Sequence, residues 1–134
     1  MTERKVLVVD DDPDILDVIS LILESQGYEV IVARDGVECL NKLREAKPTL
    51  MILDLLMPKM DGFAVYKELQ SPEWSEYRDI PILILSSVRE EASRRRYELE
   101  TGRQLDVDEY LEKPISPEAL LGCVAKLLER KERV

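Results

Sequence analysis

The sequence contains no histidine. That absence excludes a histidine phosphoacceptor, a histidine general base and most zinc sites, so any phosphohistidine chemistry has to bring its histidine on a partner. Cysteine is scarce. Cys39 and Cys123 stand far apart in helical patterns, the setting of small buried hydrophobes rather than of a disulfide or a metal site. Long apolar runs are missing as well. No stretch approaches the roughly 20 residues that a membrane-spanning helix requires. Met1-Thr2-Glu3-Arg4-Lys5 leads straight into a strand-like run, without the layout of a secretory signal, and a cytoplasmic location is the expectation. Basic residues are in deficit, 19 against 28 acidic ones, for a net charge of −9. That sign disfavours direct contact with nucleic acid, whose phosphates demand a basic face. What is present is 134 residues, 45% hydrophobic and 35% charged, enough for one globular domain with a sizeable core.

Strand-like and helix-like segments alternate along the chain. Val6-Leu7-Val8-Val9 is a short continuous apolar run, as in a strand buried on both faces. Asp12-Pro13 then opens a helix with Ile15, Leu16, Ile19 and Leu23 inward, stopped by Gly27. Tyr28 to Ala33 reads as a second strand, and Asp35-Gly36 starts a second helix that ends before Pro48. Leu50-Met51-Ile52-Leu53 is a third buried strand with Asp54 at its end. Asp61 caps a helix carrying Phe63, Val65, Tyr66 and Leu69, which ends or kinks at Ser71-Pro72. Ile80 to Leu85 gives a fourth strand, Arg89 to about Glu100 an exposed helix, Val107 to Leu111 a fifth strand, and Ser116-Pro117-Glu118 the start of a helix to about Lys131. Such alternation calls for a parallel sheet covered on both faces by helices. No repeat, linker or low-complexity stretch interrupts it, and the last helix uses up the chain. A single domain over residues 1–134, without an attached output domain, is therefore expected.

Ligands of an open parallel sheet bind beyond the carboxyl ends of its strands. Asp10, Asp11 and Asp12 follow the first strand, Asp54 the third, Ser86 and Ser87 the fourth, and Lys113-Pro114 the fifth. Asp12 reads as the helix N-cap rather than a ligand. Taken singly each residue is unremarkable, but together they gather carboxylates, a hydroxyl and an ammonium in one crevice. Clustered carboxylates repel one another unless a cation joins them. A hard divalent ion with oxygen ligands meets that need, and magnesium suits a site with few carboxylates and a phosphoryl oxygen. A carboxylate beside such an ion can attack phosphorus and form an acyl phosphate. The transfer then requires mainly neutralisation of three equatorial oxygens, which the ion, Lys113 and Ser86 could each take in turn.

Four segments in this order resemble the receiver domain of two-component response regulators. They are Val6 to Asp11, Asp54-Leu55-Leu56-Met57-Pro58 through Met60-Asp61-Gly62, Ile80 to Ser87, and Tyr110-Leu111-Glu112-Lys113-Pro114. The resemblance implies a flavodoxin-like (βα)5 doubly wound α/β fold, with a five-stranded parallel sheet in the order 2-1-3-4-5. It implies Asp54 as phosphoacceptor. It implies a magnesium site of Asp11 directly, Asp10 through water, Asp54 and the backbone carbonyl of Leu56. It also implies Ser86 as switch hydroxyl, Lys113 with a cis bond to Pro114, and Tyr110 as the aromatic that turns inward with the hydroxyl. Leu56 and Val88 match the positions that border the path of the hydrolytic water.

The implied function is a signalling domain that promotes its own phosphorylation and dephosphorylation, not an enzyme with a separate substrate. A sensor histidine kinase or histidine phosphotransfer protein would donate the phosphoryl group. A target protein, or a second copy of the chain, would read the face formed by the fourth helix, fifth strand and last helix. The competing readings are a phosphorelay intermediate that passes the group onward, an aspartyl-phosphate phosphohydrolase, and a scaffold that has kept the fold alone. A hydrolase of the haloacid-dehalogenase type would want Asp-x-Asp after the first strand, where this chain has adjacent Asp10-Asp11. The chain departs from the family between Ser86 and Lys113, where it is several residues longer, around Glu98 to Leu105. The basic run Arg94-Arg95-Arg96 lies nearby and reads as a solvated helix face.

Overall fold

A computed structural model describes residues 4–102 and 108–132, with the side chains of 88–91 and 130–132 outside that description. In chain order the elements are β1 (Lys5–Val9), α1 (Pro13–Glu24), β2 (Glu29–Ala33), α2 (Gly36–Ala46), β3 (Leu50–Asp54), α3 (Gly62–Leu69), a 3-10 segment (Pro72–Tyr77), β4 (Ile82–Ser86), α4 (Val88–Thr101), β5 (Glu109–Glu112) and α5 (Pro117–Glu132). The five strands are all parallel, in the order β2-β1-β3-β4-β5. This is the doubly wound flavodoxin-like fold that the resemblance implied.

The central strands are apolar because both their faces are covered. Every residue from Val6 to Val9 and from Leu50 to Asp54 is buried, and alternate side chains feed two separate cores. Leu7, Val9, Met51, Leu53 and Ile84 pack with Cys39 and Leu43 of α2 and Val65 and Leu69 of α3. Val6, Val8, Leu50, Ile52 and Leu85 pack with Leu16 and Ile19 of α1 and Leu120 and Val124 of α5. Both cysteines remain thiols. Burial pushes the Cys39 thiol up to about 12, so it behaves as a core hydrophobe, as expected.

The helix starts follow their capping residues. The Asp12 carboxylate accepts from the Asp14 N–H, Asp35 from Glu38 and Asp61 from Ala64, each at 2.9 Å. Gly27, at φ 86°, takes the left-handed turn after α1. Among the described residues no helix is long and apolar enough to cross a membrane.

The fourth strand and the segment before it differ from expectation. The fourth strand begins at Ile82 rather than Ile80. The Ile80 N–H closes a turn onto the Tyr77 carbonyl at 3.2 Å, and Pro81 has no N–H to give the ladder. The 3-10 segment was not anticipated. It buries Trp74, whose Nε1 donates to Glu68 at 3.1 Å while the Arg44 guanidinium covers its ring at 4.1 Å. β5 starts at Glu109. The expected start at Val107 and the part of the long segment from residue 103 to 105 lie outside the described residues.

Candidate functional site

Parallel strands end together, so the residues after β1, β3 and β5 meet at one edge of the sheet. A cleft of about 580 Å³ opens there, walled by Asp10, Asp11, Asp12, Asp54, Leu56, Asp61, Ser87 and Lys113 with Met57 and Pro58. Asp10, Asp11 and Asp54 each offer an oxygen within 4.8 Å of the others. Asp10 and Asp54 are only 1% and 2% exposed, whereas Asp11 stands in solvent. Asp10 is held by its neighbour, whose backbone donates from Asp12 N to Asp10 Oδ1 at 3.0 Å.

Lys113 reaches in from the end of β5. Its backbone N–H donates to the Ser86 carbonyl at 2.7 Å, and the Lys113–Pro114 bond is cis, as expected. Its ammonium lies 3.2 Å from Asp10 Oδ2 and 3.5 Å from Asp54 Oδ1. Both oxygens are shut off from solvent. One ammonium against the three clustered carboxylates, with Asp12 and Asp61 also on the wall, leaves the cleft negative. A divalent cation with oxygen ligands fits that donor set.

Burial shows in the titration of Asp10. Burial pushes its carboxyl from 3.8 up to about 6; the Asp12 N–H opposes the rise, the Asp54 charge adds to it, and Lys113 opposes it. The folded state therefore binds the Asp10 proton more readily than the unfolded state. Ionised Asp10 destabilises the metal-free fold above about pH 6, and that penalty vanishes as the pH falls toward 4. Asp10→Asn is expected to stabilise the metal-free protein by about 2 kcal/mol at pH 7.5, with the gain gone near pH 4. Urea melts at the two pH values check this, and an equal gain at both would contradict it.

Backbone packing sets the position of Asp54. A Cβ on Gly62 would lie 2.5 Å from the Asp54 carbonyl oxygen, and the Gly62 N–H donates to the Leu55 carbonyl at 2.9 Å. The loop between them is also pinned from α2, where the Gly36 N–H donates to the Met60 carbonyl at 2.8 Å and Asp35 meets Lys59 at 3.7 Å. Gly62→Ala is expected to cost about 2 kcal/mol by overpacking against this backbone. An unchanged urea midpoint would show that the loop has room to give.

The family model of the response regulator receiver domain matches residues 6–125. The chain belongs to this family. It is 38% identical over 129 residues to PhoP, the alkaline phosphatase synthesis transcriptional regulatory protein of Bacillus subtilis, covering 96% of this chain and 50% of that protein. The chain thus spans about half the length of the curated relatives it matches. Among solved structures it is similar to the chemotaxis protein CheY4 of Vibrio cholerae, with 32% identity, a TM-score of 0.75 and coverage of 94% and 99% of the two chains. It is also similar to the signal receiver domain of a signal transduction histidine kinase from Syntrophus aciditrophicus, with 30% identity, a TM-score of 0.80 and coverage of 97% and 93%.

Within this receiver the structure brings together Asp10, Asp11, Asp54 and Lys113, with Leu56 on the cleft wall. Asp12 caps α1 as expected and stays outside the three-carboxylate group. Ser86 ends β4 and is buried, while its neighbour Ser87 lines the cleft. Tyr110 is half-buried on β5 against the α2–α3 core. The Val88 side chain, read as bordering the water path, lies outside the described residues. Asp61 caps α3 as expected and also lines the cleft. One reading needs correction. The basic run is not uniformly a solvated face. Arg95 and Arg96 are exposed, but Arg94 folds onto Tyr110 with its guanidinium 4.8 Å from the ring centroid.

Proposed function

We propose that this receiver accepts a phosphoryl group on Asp54 from a phosphohistidine on a cytoplasmic partner. The observation that carries the reading is Asp54 itself, a buried carboxylate at a strand end between two further aspartates and a lysine ammonium. Asp11, Asp54 and the Leu56 carbonyl would hold magnesium directly, and Asp10 would hold it through water. When bound, magnesium neutralises the carboxylates and one equatorial phosphoryl oxygen. An Asp54 oxygen attacks phosphorus, the phosphorus–nitrogen bond breaks, and the partner's imidazole leaves with the electron pair. Lys113 takes a second phosphoryl oxygen and Ser86 a third.

After transfer, the new charge draws the Ser86 hydroxyl, Tyr110 follows, and the face of α4, β5 and α5 changes its affinity for a target protein. The two arrangements pre-exist and phosphorylation shifts their populations. Onward transfer to a histidine phosphotransfer protein is a second reading. The likeness to a receiver from a histidine kinase favours it.

Incubation with acetyl phosphate and magnesium, followed by intact-mass measurement, tests the proposal. A lasting gain of one phosphoryl group supports it. Rapid turnover of added phosphoesters would instead indicate a hydrolase, and an unmodified protein a scaffold.

The same reading makes the acyl phosphate long-lived. Leu56 lines the cleft and cannot orient a water for in-line attack. Leu56→Asn is expected to speed loss of phosphate by roughly tenfold, or about 1.4 kcal/mol of barrier. Decay after donor removal measures it, and an unchanged or slower rate would remove Leu56 from this role.

A further inference from the structure

Helix α4 lacks the aliphatic anchors of the other helices. No described α4 residue contributes to the buried core, and its Leu99 is 85% exposed. Two of its contacts with the body of the domain involve aromatic rings. Tyr97 stacks on Phe63 of α3 with centroids 4.8 Å apart. Three residues earlier, and so on the same side of the helix, Arg94 covers Tyr110. The Arg94 guanidinium carbon lies 4.8 Å from the Tyr110 ring centroid, and Nη1 lies 3.5 Å from the phenol oxygen. Arg94 Nε is shielded from solvent. A guanidinium that is partly shielded from water is attracted to a tyrosine face more strongly than a fully exposed one.

The register connects this contact to the cleft. Tyr110 pairs with Ile84 and Glu112 with Ser86. Side chains two apart on a strand share a face, so Ile84 and Ser86 point to the same side of β4. Tyr110 packs in the same core as Ile84, one strand over and two residues before the switch serine. Arg94 therefore rests on the ring that would have to move when Ser86 moves.

We propose that Arg94 is a latch on Tyr110, a positioning residue that holds the ring in its resting place and so sets how much of the protein is active before phosphorylation. The latch rests on the receiver reading above, and it couples α4 to the cleft through one side chain. Moving Tyr110 inward breaks the cation–ring contact, and α4 then keeps only the Tyr97–Phe63 stack among these two. Removal of the cation should favour the active arrangement without any phosphoryl group.

The test compares wild type with Arg94→Met, which keeps an apolar stem without the charge, and with Arg94→Lys, which keeps the charge on a smaller head. Tyr110 ring signals are followed by NMR, assigned through Tyr110→Phe, with and without magnesium and beryllofluoride as a phosphoryl mimic. In Arg94→Met the resting Tyr110 signal is expected part-way toward its beryllofluoride position, for an equilibrium shifted about threefold or more. The Phe63–Tyr97 contact should persist, Arg94→Lys should fall between, and beryllofluoride should bind tighter by the same factor. An unmoved Tyr110 in Arg94→Met overturns the latch. So does a Tyr110 shift accompanied by loss of the Phe63–Tyr97 contact, which would mean that α4 had merely come loose. If the wild-type Tyr110 does not respond to beryllofluoride at all, the receiver reading of Tyr110 falls first and the latch with it.

Discussion

Asp11→Ala is expected to slow phosphoryl uptake from acetyl phosphate by at least about a hundredfold, or about 2.7 kcal/mol of barrier. Asp11 is the exposed member of the three-carboxylate cluster, the one that can meet a hydrated cation as it enters. Without it, the three-carboxylate group keeps only Asp10 and Asp54, both buried and both facing the Lys113 ammonium. The fold should survive, because the substitution removes a like charge from a negative cleft and breaks no hydrogen bond of the core. Uptake at the wild-type rate with unchanged magnesium dependence would show that the cation is held elsewhere.

Much of that cleft is legible in the sequence because parallel sheets bury their central strands on both faces. Val6 to Val9 and Leu50 to Leu53 stand out as uninterrupted apolar runs, and a carboxylate directly after such a run has to lie at a strand end. Asp10 and Asp54 were found in this way. Features that depend on one backbone approaching another were not. The need for Gly62 comes from the Asp54 carbonyl 2.5 Å from its missing Cβ, a fact of tertiary packing. The 3-10 segment has only Pro72, Trp74 and Tyr77 besides its polar residues, so no period marks it. Arg94 sits among charges on a helix with little apolar content, and its contact is a ring 16 residues away on another element. Nothing local distinguishes it from Arg95.

Lys113→Met is expected to separate stability and signalling from acceptance. The ammonium is the cation nearest to two buried carboxylates, at 3.2 Å and 3.5 Å. Leaving buried charges without their partner costs several kcal/mol in a closed site. Because the Lys113 side chain is 21% exposed, about 2 kcal/mol is expected here. The pH dependence has a definite sign. Lys113 lowers the Asp10 pKa, so its loss raises that value further. The deficit is then largest above pH 7 and shrinks as Asp10 takes up a proton on acidification. Phosphoryl uptake should fall by no more than about tenfold, yet the Tyr110 response to beryllofluoride should disappear, as it should in Ser86→Ala. Urea melts across pH and tyrosine NMR check the two halves. A deficit that grows on acidification, or a full Tyr110 response, would contradict the assignment of Lys113.

The most direct measurement is the identity of the modified residue. An acyl phosphate on an aspartate is reduced by borohydride, which displaces phosphate and leaves homoserine at the former carboxylate. Protein treated with acetyl phosphate and magnesium, then with borohydride, is digested and its peptides are sequenced by mass spectrometry. Homoserine at Asp54, with none at Asp10 or Asp11 and none when magnesium is chelated, is the expected result. Homoserine at another aspartate, or an unmodified Asp54 in protein that has gained phosphate, would contradict it.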